Sequence, residues 1–355
     1  MAHSVVDAAE EILDQEYRVL DKGFVRLVDY LGADERIVQA ARVSYGAGTK
    51  TFREDRGLIR YLMRNEHTSP FEQVVLTFHV KMPIFVARQW IRHRTARVNE
   101  ISGRYSVMEQ EFYVPEGKDI AQQSESNRQG REREAVDPEV QQEVAGKLEA
   151  DQQQAYEAYQ SLLDQGLARE LARVNLPVSL YTEMYWQIDL HNLFHFLKLR
   201  MDAHAQYEIR AYASMIYSIV QRVCPIACEA FEDYQLNSVR FSGPEVEAVR
   251  RALGFTGGAA ADGGVGSAPA GEAADGGASS ATPAGAAADG GASSAGLGAA
   301  ADGGAGGASR GGAADGGAGG EAEIPEALKS GAEAAGITGK GLLRLAKKLG
   351  ENFHE

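Results

Sequence analysis

Val74-Val75-Leu76-Thr77-Phe78-His79-Val80-Lys81-Met82-Pro83-Ile84-Phe85-Val86-Ala87-Arg88-Gln89-Trp90-Ile91 is the most strongly patterned stretch of this chain. Val74, Leu76, Phe78 and Val80 alternate with Val75, Thr77, His79 and Lys81, the period of a strand that buries one face. Pro83, with its fixed φ, suits the first turn of a helix running through Ile84 to Ile91. Strand and helix together anchor the segment on their C-terminal side.

That segment is Arg92-His93-Arg94-Thr95-Ala96-Arg97-Val98-Asn99-Glu100-Ile101-Ser102-Gly103-Arg104-Tyr105. Four arginines fall in fourteen positions of a chain whose net charge is −14. Arginine runs are usually solvated faces. Here they lie at the end of a well-anchored helix and in an irregular stretch beyond it, the setting in which rigid elements deliver polar loops to ligands. Cations concentrated against the overall balance imply a bound anion, and guanidinium forks suit phosphate and nucleobase oxygens. Glu100 requires that the ligand also carry donors, as a sugar or base does. Gly103 permits close approach of backbone to a ligand.

Composition divides the chain near Phe255. From Thr256 to Glu323 there is no aromatic residue, and the only large aliphatics are Val265 and Leu297. Ala-Asp-Gly-Gly recurs around Asp262, Asp275, Asp289, Asp302 and Asp315. Such a segment buries too little apolar surface to offset chain entropy, so a disordered repeat tail is expected over 251–323. Its period does not suit the calcium-binding nonapeptide solenoid. Over 324–355, Leu342, Leu345, Leu349 and Phe353 share a helical face, so a short helical segment is expected there. Residues 1–250 are then one catalytic-sized domain with a sizeable core. The acidic balance argues against a general nucleic-acid binder, and no window suggests a membrane span or secretory signal. Two cysteines, Cys224 and Cys228, fit a reducing compartment and point to the cytoplasm.

Two further stretches carry chemistry-bearing side chains. Pro70 favours an extended Ser69, at a turn leading into the strand. Asp189 to Arg200 reads as a helix in which His191 and His195 share a face. A metal pair with Asp189, Asp202 or His204 is one reading of them. Against it, the segment lacks the His-Glu-x-x-His glutamate, and Leu199 occupies the next position on that face.

The arginine segment resembles the signature of flavin-dependent thymidylate synthases, R-H-R-x-x-S-x-N-E-x-S-x-R, in Arg92, His93, Arg94, Asn99, Glu100, Ser102 and Arg104. It departs at Arg97, where the family usually has serine. The likeness spans roughly the first 240 residues, including Ala40-Ala41-Arg42-Val43-Ser44-Tyr45, His67-Thr68-Ser69-Pro70-Phe71-Glu72 and Leu197-Lys198-Leu199-Arg200. It implies an α+β fold, an antiparallel sheet flanked by helices, in a homotetramer with sites at subunit interfaces. The implied activity converts dUMP to dTMP, with methylenetetrahydrofolate as carbon donor, NADPH as reductant and FAD as hydride carrier. By resemblance Gln89, Arg92, Glu100, Ser102, Gly103, Arg104, Arg173 and Arg200 bind dUMP. Ser69, Arg92, His93, Arg94, Glu100, Asp189, His191 and His195 hold FAD, and no metal is implied. Arg200 takes the catalytic role, because a fixed guanidinium beside the uracil ring stabilises the charge that develops as C5 becomes nucleophilic. No cysteine lies near these motifs, so a route without a protein nucleophile is expected.

Two other classes stand beside this one. A metal-dependent hydrolase would use His191 and His195. An interaction protein would use the repeat tail. Neither accounts for the arginine segment.

Overall fold

A computed structural model describes residues 5–43, 52–125 and 129–239. The alternating stretch forms β3 (Val75–Pro83), with Leu76, Phe78, Val80 and Met82 fully buried. It lies at the centre of a five-stranded antiparallel sheet, between β2 (Gly23–Leu31) and β7 (Tyr181–Asp189), with β1 (Glu16–Val19) and β4 (Arg97–Glu100) as the edges. Register sets Phe78 opposite Trp186 and Val75 opposite Asp189. Pro83 ends the strand rather than opening the helix. Its ψ of 146° keeps it extended, paired with Tyr181, as the N-cap of α4 (Ile84–Trp90). A missing N–H is tolerated at such a strand end.

The stretch after α4 is not wholly irregular, because Arg97 to Glu100 pair with Gln187 to Met184 as β4. All four residues are exposed and polar or singly apolar, so no alternation marks them in sequence. The open edge of β7 makes the strand, by offering backbone partners.

α7 (Leu190–Arg200) starts where β7 ends. Asp189 caps it, accepting from the Asn192 N–H at 2.9 Å and the Asn192 amide at 2.8 Å. α7 packs with α8 (Tyr207–Val223) and α4 over the buried sheet face. There Trp90 lies 5.1 Å from Trp186, 4.9 Å from Phe196 and 5.9 Å from Tyr212 between ring centroids. Each such large buried side chain contributes roughly 1.5–3 kcal/mol. α2 (Asp34–Arg42) is tied to α9 (Pro225–Phe231) by Asp34, whose two oxygens accept the N–H groups of Ile226 and Ala227 at 2.8 and 2.9 Å. Cys224 and Cys228 are buried beside this anchor as unpaired thiols.

A second apolar cluster forms under α5 (Pro138–Asp164), around Tyr159, Met108, Phe112 and Leu180. Glu116 to Gln165 reads in sequence as exposed loop and helix. The helix is there, preceded by a short hairpin of β5 (Ala121–Gln123) and β6 (Arg131–Ala135). The hairpin is too short and polar to alternate. It is held by Arg131, which donates to the buried carboxylate of Glu208 at 3.0 Å. Among the described residues no helix is long and apolar enough to cross a membrane. The tail expected over 251–323, the helical segment over 324–355, and Ser44 and Tyr45 lie outside the described residues.

Candidate active site

The last residue of α7 reaches back to α4 and the turn after it, more than a hundred positions earlier in the chain. Arg200 donates from Nε to His93 Nε2 at 3.0 Å and from Nη2 to the Gln89 backbone carbonyl at 3.1 Å. Its guanidinium is half-buried, and loss of solvent lowers its pKa. His93 also packs edge-on against Phe196, at 4.9 Å, and lies 5.8 Å from the His195 ring. Burial first, then the charge of Arg200 and then His195, lower the His93 pKa to about 4. The ring is therefore neutral at ordinary pH. The Gln89 side-chain amide hydrogen-bonds Gln206, a residue just ahead of α8 that carries no local signal in the sequence.

The second group is the loop that leaves β4. Glu100 Oε1 accepts the buried Thr182 hydroxyl at 2.6 Å, and Ile101 N–H bonds the Glu183 carbonyl at 2.9 Å. Ser102 Oγ accepts the Arg104 N–H at 3.3 Å, closing a tight turn. Gly103 is buried within that turn. A Cβ there would stand 3.1 Å from Arg173 Cδ and 3.1 Å from Met108 Sδ. The glycine thus lets Arg173 lie flat against the loop. Arg173 follows the short helix α6 (Arg169–Ala172), whose Arg169 donates to the Tyr105 carbonyl at 3.3 Å. Arg104 is exposed, 3.4 Å from Glu170.

Asp189 and His191 sit at the opposite end of α7 from Arg200, and the segment after Ser69 packs against that helix. Ser69 is exposed in the turn before the 3-10 segment Phe71–Gln73, and Phe71 packs on Phe194 of α7 at 6.4 Å. The Leu190 N–H bonds the Val74 carbonyl at 2.8 Å, fixing this end of the helix to β3. His195 lies between the two ends. An eleven-residue helix spans about 16 Å, so the row suits an extended ligand. Arg92 and Arg94 are exposed, and among the described residues no ion pair holds either.

Asp202 pairs with His204 at 2.9 Å rather than turning toward His191 and His195. Among the described residues no group of three or more His, Cys, Asp or Glu side chains could hold a metal ion. Thr182 and Gln206 are the residues at this site that sequence reasoning overlooked. Each acts on a partner 82 or 117 positions away.

An antiparallel sheet thus carries an arginine-rich loop on its edge strand, and α7 carries two imidazoles and a terminal arginine, groups whose chemistry suits an anionic ligand with planar rings. The family profile described as "Thymidylate synthase complementing protein" matches residues 26–226. The flavin-dependent thymidylate synthase of Treponema denticola is 66% identical over 241 residues, covering 68% of this chain and 91% of that protein. The enzyme of the same name from Treponema pallidum is 61% identical over 257 residues, covering 72% of this chain and 84% of that one. A solved UMP/dUMP methylase, PolB from Streptomyces cacaoi bound with 5-Br dUMP, superposes with a TM-score of 0.57 at 36% identity, over 63% of this chain and 100% of that chain. The chain belongs to the flavin-dependent thymidylate synthase family.

Proposed function

We propose that this chain methylates dUMP at C5 to give dTMP, taking the carbon from methylenetetrahydrofolate and reducing equivalents from NADPH through FAD. The arrangement that carries this reading is Arg200, half-buried and fixed by His93 and the Gln89 carbonyl. Beside N3 and O4 of uracil, such a cation stabilises the negative charge that makes C5 nucleophilic. Arg173, Arg104 and Arg92 supply forks for the nucleotide phosphate, and Ser102 and Gly103 shape the loop that receives it. Glu100, aimed by Thr182, accepts from ligand N–H or O–H groups.

The residues present fit a flavin dinucleotide. Arg92 and Arg94 offer unpaired guanidinium donors for a diphosphate. Ser69, Asp189, His191 and His195 offer hydrogen-bonding groups along α7, while Ile91 and Leu199 expose apolar surface to a ring. Held by these residues, FAD would supply the hydride chemistry of the reaction.

Buried thiols support a route without a protein nucleophile. Burial raises both Cys224 and Cys228 well above the ordinary thiol pKa, so neither is a thiolate at neutral pH.

Exposed Arg92 and Arg94 support sites completed by a neighbouring subunit of a homotetramer. Exposed Val98, Ile101, Tyr105 and Val107 on and after the edge strand β4 support it too. The unpaired cysteines and the nucleotide substrate fit the cytoplasm.

Tritium release from dUMP labelled at C5 tests the reading, with methylenetetrahydrofolate, NADPH and FAD each omitted in turn. Release that needs all three is expected. Release independent of any one, or none with the complete mixture, would sink it.

A further inference from the structure

Arg200 is a flexible side chain at the end of a helix, and its use requires that it be held. Free in solution such a side chain samples many rotamers, and ordering it costs conformational entropy. Two acceptors hold it here, the Gln89 carbonyl at 3.1 Å and the His93 imidazole at 3.0 Å. The carbonyl belongs to α4 and is as rigid as the helix. The imidazole is held in turn by Phe196, packed edge-on at 4.9 Å one turn before Arg200 on the same helix.

We infer that His93 is a positioning residue, whose unprotonated Nε2 fixes the Arg200 guanidinium for the uracil ring. This rests on the reading of Arg200 as the group that faces uracil. Arginine has only donors, so Nε2 must accept, and the proton of the neutral ring then sits on Nδ1. That tautomer leaves His93 with a single N–H for any other ligand. Flavin contact through Nε2, which the sequence resemblance alone would allow, is closed while Arg200 occupies it. The groups that face the ring from neighbouring elements, Arg200 and His195 of α7, both disfavour a second proton, and burial adds to them. Bare Nε2 is therefore available throughout the neutral range.

The geometry specifies which substitution preserves the contact. Glutamine at 93 sets a carbonyl oxygen at the reach of Nε2 and keeps the acceptor, whereas leucine keeps bulk and removes it. His93→Gln should restore most of the C5 tritium release that leucine at this position loses. His93→Leu should lower it about 10- to 100-fold, the range for a lost hydrogen bond to a charged group. Since His93 acts through Arg200, His93→Leu should cause no further loss in an Arg200→Leu background. Crystal structures of the two single variants should show Arg200 on the Gln89 carbonyl with glutamine and swung away with leucine.

An undiminished effect of His93→Leu in the Arg200→Leu background would overturn the inference. So would an Arg200 side chain that keeps its place in the His93→Leu crystal. Equal loss of bound flavin absorbance in both single variants, in folded protein, would make His93 a flavin ligand instead. A wild-type protein with no tritium release would sink the proposed activity, while the position of Arg200 in the variant crystals would still decide the clasp.

Discussion

Thr182 and Glu100 meet across two neighbouring strands, the threonine hydroxyl donating to the carboxylate at 2.6 Å. Thr182 is buried on β7 and Glu100 is exposed on β4, so a core residue aims a surface carboxylate into the ligand-facing loop. Thr182→Val removes the hydroxyl at nearly constant shape. It should raise the KM for dUMP about 5- to 10-fold, less than the full worth of a hydrogen bond to a charged group because water reaches the exposed Glu100. Unchanged KM would mean that Glu100 is oriented by something else.

Gly103→Ala should weaken dUMP binding about 10-fold with little loss of thermal stability. The added methyl would press on Arg173 and Met108 at 3.1 Å, and the arginine must give way. Calorimetric titration of dUMP reads the effect directly. Wild-type affinity in the alanine variant would show that Arg173 does not contact the nucleotide.

Arg97, the departure from the family pattern, is an exposed edge-strand residue opposite Gln187. Among the described residues no ion pair engages it. The register sets it toward the Asp189 end of β7, away from Arg200. Arg97→Ser should therefore change turnover by less than about 3-fold, within the range of surface substitutions. A rise of orders of magnitude in steady-state rate would mean that the arginine obstructs the site.

Two buried groups should give opposite pH slopes to stability. Burial raises Asp34 from 3.8 to about 6, an effect its two backbone N–H bonds only partly offset. Between these values the folded chain holds more protons than the unfolded one, so Asp34 lowers stability as pH rises from about 4 to 6, by on the order of 3 kcal/mol. His93, lowered from 6.5 to about 4, acts the other way, its contribution present above 6.5 and lost as pH falls toward 4. In urea titrations, wild type should lose stability relative to Asp34→Asn as pH rises through that window and gain relative to His93→Gln. Parallel profiles would refute both assignments.

Replacing both thiols, Cys224→Ala with Cys228→Ala, should leave tritium release within about 3-fold while lowering the thermal midpoint by a few degrees, the mark of small core cavities. Abolished turnover in a folded double variant would restore a cysteine nucleophile to consideration.

Much of this architecture is legible in the chain itself. The alternation from Val74 to Lys81 specifies β3, because one face must be buried and a period of two admits no other element. The spacing of apolar residues from Leu190 to Leu199 specifies α7, and the arginine segment announces the ligand class. Arg92 to Arg104 stand out as candidate site residues because the motif is contiguous.

Other features exist only in the folded chain. β4 is a strand because β7 leaves an edge open beside it. The hairpin before α5 is pinned by Glu208, far along the sequence. The His93 contact with Arg200 joins residues 107 apart, and Asp34 reaches 193 positions to Ala227. Periodicity reports which side of a segment seeks the core, whereas these pairings depend on which segments the closed chain sets side by side. Local sequence thus determined the principal elements, β3 and α7, and pointed to an anionic ligand. Tertiary structure alone decided which donor meets which acceptor, since a hydrogen bond depends on position to within a few tenths of an ångström and on the packing of every element between its ends.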